Sequence, residues 1–115
     1  MLNKNPYDQA HELARALRES ELYQRYIIVQ KQLALNPEAQ ERVRQFRVRQ
    51  LEVNQAQLLG KEVPTDRAGQ LALEYAKLNQ DKNIAEFLKA EGTFMQLFAD
   101  IQQIIQKSLE SGLTE

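Results

Sequence analysis

The residues with the clearest capacity for chemistry lie near the start of the chain, around its only histidine. They are spaced i, i+3, i+4 and i+7: Asp8, His11, Glu12 and Arg15. This spacing places all four on one face of a helix. An Asp and a His three residues apart could bind a metal together, but a carboxylate-bridged di-iron bundle needs paired Glu-x-x-His motifs and further glutamates. We therefore interpret this face as solvated and salt-bridged, and predict no metal site and no cofactor.

Other routes to catalysis lack the residues they need. The chain has no cysteine, which excludes disulfides, thiolate metal sites and a thiol nucleophile. Ser20, Ser108 and Ser111 have no histidine near them in the sequence, so a nucleophilic triad is not indicated. The four glycines are isolated and form no phosphate-binding loop. We predict no catalytic residue and no enzymatic activity.

A basic cluster allows two interpretations. Its members are Arg42, Arg44, Arg47 and Arg49. Long basic side chains beside an apolar stripe usually cover it with their stems and pair with acids. The alternative is contact with RNA or another phosphate ligand, although the cluster holds Phe46 alone as a base-stacking aromatic. The chain has 15 basic and 16 acidic residues, so it has no general basic field for nucleic acid or anionic lipid.

Length and composition indicate one small helical protein. The 115 residues fit a single domain over residues 1–115, with a core at about 6–110. Strong helix formers dominate, while Gly and Pro are scarce, which predicts an all-α fold. Neither a signal peptide nor an apolar run near the ~18 residues of a membrane span is present, so we expect a cytoplasmic protein without membrane contact.

Proline and glycine mark several helix boundaries. Asn5-Pro6 and Asn36-Pro37 each combine a capping residue with a proline suited to the first helical position. The helix from residue 37 should end at about Leu59, where Gly60 supplies a left-handed stop. Ser20 either caps a second helix or lies within a continuous one.

The second half of the chain predicts two further helices. One starts at Thr65 or Asp66, and the polar cluster at residues 79–83 indicates a kink, a turn or a new cap. The last helix should end near Gly112. The expected architecture is a long antiparallel helical hairpin or bundle of four to five helices.

Two helices are apolar on more of their surface than one packing contact requires. On the helix from residue 37, Val48, Leu51, Leu58 and Leu59 lie off the stripe formed by Ala39, Val43, Phe46 and Val53. Apolar residues of the last helix span about 200°, whereas an ordinary surface helix needs about 100°. Glu91 lies inside this arc, either as a carboxylate that is at its rim or paired with an arginine, or as a buried acid with a raised pKa.

Either the last helix is the central element of the monomer, or it also buries a face against another subunit. We favour the second explanation, with a two-fold homodimer as the commonest solution. The residues predicted for self-association are Phe94, Leu97, Phe98, Ile101, Ile104 and Ile105.

A family resemblance adds to this interpretation. It is carried by Ser20-Glu21-Leu22-Tyr23, Asn36-Pro37-Glu38-Ala39, Phe46-Arg47-Val48-Arg49-Gln50, Gln57-Leu58-Leu59-Gly60-Lys61-Glu62-Val63, Asn83-Ile84-Ala85-Glu86-Phe87-Leu88-Lys89-Ala90-Glu91 and the apolar Phe94, Leu97 and Ile101. Over residues 6–110 the chain resembles the YlbF/YmcA family of small helical bacterial proteins, particularly its YheA-like branch. The resemblance implies an all-helical fold and oligomerisation. For the YlbF and YmcA branch it implies regulation of RNase Y-dependent RNA processing together with the partner YaaT, and cysteine-held iron–sulfur clusters, which a chain without cysteine cannot bind.

The leading hypothesis is therefore a non-enzymatic, oligomeric, cytosolic interaction or regulatory protein, a homodimer or larger, with a protein partner. The alternative is an RNA-processing-associated factor that uses the Arg42 to Arg49 cluster.

Overall fold

The computed structural model describes residues 5–62 and 65–114; residues 1–4, 63–64 and 115 lie outside the description. The described residues form five helices and no strand, which confirms the all-α prediction. The helices are α1 (Pro6–Glu19), α2 (Glu21–Ala34), α3 (Pro37–Leu58), α4 (Thr65–Leu78) and α5 (Lys82–Thr114).

Side-chain caps define where these helices begin. The Asn5 side chain accepts a hydrogen bond from the Tyr7 backbone N–H at 2.8 Å, and Asn36 accepts one from Ala39 at 3.1 Å. Both caps satisfy N–H groups that the first helical turn leaves without a partner. At the end of α3, Gly60 adopts φ +72°, a left-handed conformation that glycine adopts without a steric cost. The predicted boundaries at residues 5, 36 and 60 are confirmed.

Three boundaries that the sequence left open or misplaced are settled by the structure. Ser20 separates α1 from α2: its Oγ donates to the Leu17 carbonyl at 2.6 Å and accepts from the Tyr23 N–H at 3.3 Å. The polar cluster at 79–83 is a new cap, because Asp81 accepts hydrogen bonds from the N–H groups that open α5. The predicted end near Gly112 falls slightly short, since α5 runs on to Thr114.

The chain divides into two compact units. Unit 1 contains α1, α2 as far as Ile28, and α5 from Lys89 onward; unit 2 covers Val29–Leu88. The single domain expected over residues 1–115 stays a prediction.

Unit 2 has a buried apolar core. Its buried apolar side chains are Val29, Leu33, Ala39, Val43, Phe46, Val53, Leu78, Ile84 and Phe87. Helices α3 and α4 run antiparallel, with the Phe46 and Tyr75 ring centroids 5.9 Å apart and the Arg49–Glu74 ion pair beside them. The stripe predicted on α3 is the face that is buried.

Unit 1 is built differently. Helices α2 and α5 run antiparallel, because Tyr23 contacts Phe94 while Tyr26 reaches back to Glu91. Ala90 is the only buried apolar side chain among the described residues of this unit. Its larger apolar side chains are half-buried or exposed, so unit 1 lacks an interior of its own.

Candidate functional site: an exposed apolar face on α5

The predicted self-association residues lie along α5 within unit 1, and we call them the α5 apolar face: Phe94, Leu97, Phe98, Ile101, Ile104 and Ile105. They differ in exposure. Phe94, Leu97 and Ile101 are half-buried, whereas Phe98, Ile105 and Ile104 are 43%, 51% and 68% exposed. Part of the face therefore packs within unit 1, and the rest is open to a partner.

Two exposed residues beside this face were missing from the predicted set. Met95 is 50% and Leu109 67% exposed. With Phe98, Gln102 and Ile105 they follow a 3-4-3-4 spacing, which is the spacing of a coiled-coil seam. That heptad spacing was the signal that could have identified them.

With Met95 and Leu109 included, as they are from here on, the α5 apolar face has two flanks. One is the seam from Met95 to Leu109; the other carries Leu97, Ile101 and Ile104 at spacings of four and three. At 100° per residue the two flanks lie on either side of Phe94 and together cover about half of the helix circumference. A helix with two such flanks can pack against more than one neighbour.

An aromatic cluster fixes the inner side of this face. The Phe94 ring is tilted against Tyr23 at 5.2 Å and stacked on Tyr26 at 5.8 Å. The Tyr26 hydroxyl donates to Glu91 Oε2 at 3.4 Å. Glu91 is thus half-buried and hydrogen-bonded at the edge of the cluster. This position agrees with the interpretation of Glu91 as a carboxylate at the rim of the apolar arc.

The face is almost free of charge. Between Gly92 and Gln106 the sequence holds one charged side chain, Asp100, which lines a shallow groove together with Leu22 and Leu97. Removing ionised groups from water is the main cost of burying a polar surface. Covering the α5 apolar face therefore carries little of that cost.

The arginine cluster lies in unit 2, and its members do not share one set of partners. Arg44 binds Glu41 with two hydrogen bonds, Nε to Oε2 at 2.8 Å and Nη2 to Oε1 at 2.5 Å. Arg49 Nε pairs with Glu74 Oε2 at 2.8 Å and so joins α3 to α4, while the Arg47 guanidinium lies 5.4 Å from the centre of the Phe87 ring. Arg42 lines a groove on the Arg49 side of α3. A common anion site here stays a prediction.

The Glu41–Arg44 pair perturbs both of its members. The hydrogen bond from Arg44 lowers the pKa of Glu41, and the same bond raises the pKa of Arg44. Both side chains are exposed, so solvent screens their attraction and the pair contributes little to stability.

The residues that the sequence singled out for metal binding lie together on the surface of α1. Asp8, His11 and Glu12 are exposed on α1. Among residues 5–62 and 65–114, no three His, Cys, Asp or Glu side chains are grouped so that they could hold a metal ion. Within the same residues, no helix combines the length and apolar character that a membrane crossing needs.

Sequence comparison places the chain among known bacterial proteins. The family described as "Control of competence regulator ComK, YlbF/YmcA" matches residues 7–110. A UPF0342 protein of Staphylococcus saprophyticus is 35% identical over 106 residues, which are 92% of this chain and 93% of that protein. A UPF0342 protein of Symbiobacterium thermophilum is 34% identical over 107 residues, with 93% and 96% covered.

Two solved structures resemble the fold. A protein of unknown function (DUF964) from Bacillus stearothermophilus has a TM-score of 0.79 at 25% identity, over 90% of this chain and 91% of that one. Bacillus subtilis RicA, solved in complex with RicF, has a TM-score of 0.59 at 20% identity, over 93% and 95% of the two chains; at this identity the likeness concerns the fold. The match over residues 7–110 and the relatives above 30% identity show that the chain belongs to the YlbF/YmcA family.

Proposed function

We propose that this protein is a non-enzymatic, cytoplasmic interaction protein that self-associates through the α5 apolar face and acts in regulation by binding another protein. The observation that carries the proposal is the exposure of large apolar side chains along one nearly uncharged stretch of α5. Contiguous apolar patches on a soluble protein mark interaction sites more often than isolated exposed residues do.

The free energy available from the exposed apolar side chains supports association of two copies. Met95, Phe98, Ile104, Ile105 and Leu109 are between 43% and 68% exposed. Full burial of such side chains is worth about 1.5–3 kcal/mol each, so covering the exposed half of five contributes about 4–8 kcal/mol per copy. Two copies contribute about twice that amount, which is comparable with the roughly 4–15 kcal/mol that association costs.

The oligomeric state tests the first part of the proposal. We expect light scattering coupled to size exclusion to give a dimer or larger species at micromolar concentration. The double variant Ile104→Glu, Ile105→Glu should be monomeric because it places charges in the interface. Gln103→Glu is the matched control, since it adds a charge on the opposite side of the same turn and should leave the mass unchanged. A strict monomer for the unmodified chain would overturn the proposal.

The regulatory part rests on the family description, which names control of a competence regulator. Affinity purification of the tagged chain from its host, with and without RNase, identifies the partner class. We expect a protein partner whose recovery is insensitive to RNase. Recovery that depends on RNA, and that is lost when Arg42, Arg44, Arg47 and Arg49 are all changed to Glu, would instead support the RNA-processing alternative.

A further inference from the structure

Helix α1 has a clear apolar face with nothing buried. The residues on this side of the helix, which we call the α1 face, are Tyr7, Ala10, Leu13, Ala14 and Leu17. At 100° per residue they fall within about 120°, and the charged side chains of the helix lie on the other side. None of the 14 described residues of α1 is buried; Tyr7 is 79% and Leu13 37% exposed, while Leu17 is half-buried.

Such a helix needs a partner to remain folded. Isolated helices of fewer than about 12–15 residues are marginal in water, and helices in proteins draw most of their stability from packing an amphipathic face. The Asn5 cap at the start of α1 supplies about 1 kcal/mol. Capping alone therefore does not account for α1, and its apolar face must be covered.

We propose that α1 packs against the α5 apolar face of a second copy, so that two α1 and two α5 helices form a four-helix bundle. The inference rests on the proposed self-association and adds a second helix to its interface. Helices α1 and α5 belong to the same unit, so both incomplete faces lie in one compact part of the chain. The α1 of the second copy covers one flank of α5, and in a two-fold pair the α5 of that copy is placed to cover the other.

The two faces match in length, size and charge. Helix α1 has 14 residues and is about 21 Å long, and the seam from Met95 to Leu109 extends over the same distance. Ala10 and Ala14 present small side chains, while Phe98 and Ile105 present large ones. Large residues opposite small ones allow the layers of a bundle to interdigitate. No charged residue belongs to the α1 face or to the seam from Met95 to Leu109.

The absence of cysteine allows a clean cross-linking test. Leu13→Cys is mixed with Ile104→Cys, Ile105→Cys or Leu109→Cys, and each mixture is oxidised. Because each chain then carries one thiol, any disulfide joins two copies. We expect a Leu13→Cys product with at least one α5 variant. Glu12→Cys, on the charged side of α1, is the matched control and should give none.

Two outcomes distinguish this inference from the proposal on which it rests. If Ile105→Cys cross-links to itself but Leu13→Cys gives no more mixed product than Glu12→Cys, α1 lies outside the interface while self-association stands. If all variants are monomeric and none cross-links, both are wrong. In a second measurement, Leu13→Glu should weaken the dimer at least about tenfold, as loss of an interface anchor does. Glu12→Gln should leave the dissociation constant unchanged, and an unchanged constant for Leu13→Glu would also overturn the inference.

Discussion

Phe94 joins α5 to α2 within unit 1. Its ring touches Tyr23 and Tyr26 on α2, and the Tyr26 hydroxyl extends the contact to Glu91. Aromatic pairs at such distances contribute about 0.5–1.5 kcal/mol beyond the area that they bury. Because unit 1 buries few other side chains, this contact should contribute more to the stability of the unit than the partial exposure of Phe94 suggests.

Phe94→Ala should lower the free energy of unfolding by about 2 kcal/mol. A fully buried Phe→Ala costs about 3–5 kcal/mol, and Phe94 is half-buried. Urea unfolding followed by circular dichroism measures the change. Gln103→Ala, exposed on the opposite side of α5, is the control and should change the free energy by less than about 0.5 kcal/mol. Equal losses for the two variants would mean that the aromatic cluster is not the main contact.

Glu41 should titrate below an ordinary glutamate, because Arg44 stabilises its ionised form and lowers its pKa. The pair therefore favours the folded state above the usual carboxyl pKa, and that contribution is lost as the pH falls through the lowered pKa. Carboxyl-carbon NMR titration measures the pKa. Arg44→Gln should return it to the ordinary range, and high salt should reduce the difference because the pair is exposed. A Glu41 pKa that is identical in the two chains would show that the pair is not formed in solution.

At the scale of elements, caps decide where the helices begin. Asn36→Ala should destabilise the protein by about 1 kcal/mol, because it removes the acceptor for the Ala39 N–H at the start of α3. Asn54→Ala is the matched control, since Asn54 is exposed within the same helix near its C-terminal end, where alanine is the better helix former. Thermal unfolding of both variants measures the difference. A loss at position 54 as large as that at position 36 would contradict the capping role.

The helix boundaries were predictable because their causes are local. A cap involves residues two or three apart, and Asn-Pro pairs and Gly60 reveal it in the sequence. Ser20 was ambiguous, since a serine can cap a helix or lie inside one. Gly112 was misplaced as an end because a glycine within a helix costs only about 1 kcal/mol, and α5 continues through it.

The candidate site was less predictable because exposure depends on tertiary contacts. Helical periodicity identified an over-wide apolar face on α5, but only the packing of α2 shows that Phe94 is covered while Ile104 is open. For the arginine cluster, closeness in the sequence did not predict a shared environment. Arg42 and Arg49 lie on the same side of α3, and Arg44, Arg47 and Arg49 each contact a separate partner.

At the scale of the whole molecule, the two units differ in what stabilises them. Unit 2 buries side chains from the end of α2, from α3 and α4, and from the start of α5, including Ile84, whose exposure is 0%. Unit 1 has half-buried contacts and an open apolar face. If the proposed self-association completes unit 1, then its stability depends on protein concentration and that of unit 2 does not.

Amide hydrogen exchange should reveal this difference. We expect protection of α1 and of α5 beyond Lys89 to increase as the protein concentration rises, while protection of α3 and α4 stays constant. In the Ile104→Glu, Ile105→Glu variant the dependence on concentration should disappear. Protection of unit 1 that is high and independent of concentration would show that one copy stabilises this unit alone.

The single-residue break at Ser20 also controls the direction of α1 relative to α2. The backbone there is extended, with φ −68° and ψ 149°, and the hydroxyl ties together the end of one helix and the start of the next. Because α1 is about 21 Å long, a turn of about 10° at Ser20 displaces its far end by about 4 Å. The direction in which the α1 face points thus depends on the backbone at Ser20, so a change at that position would alter the geometry of an assembly while leaving every contacting side chain as it is.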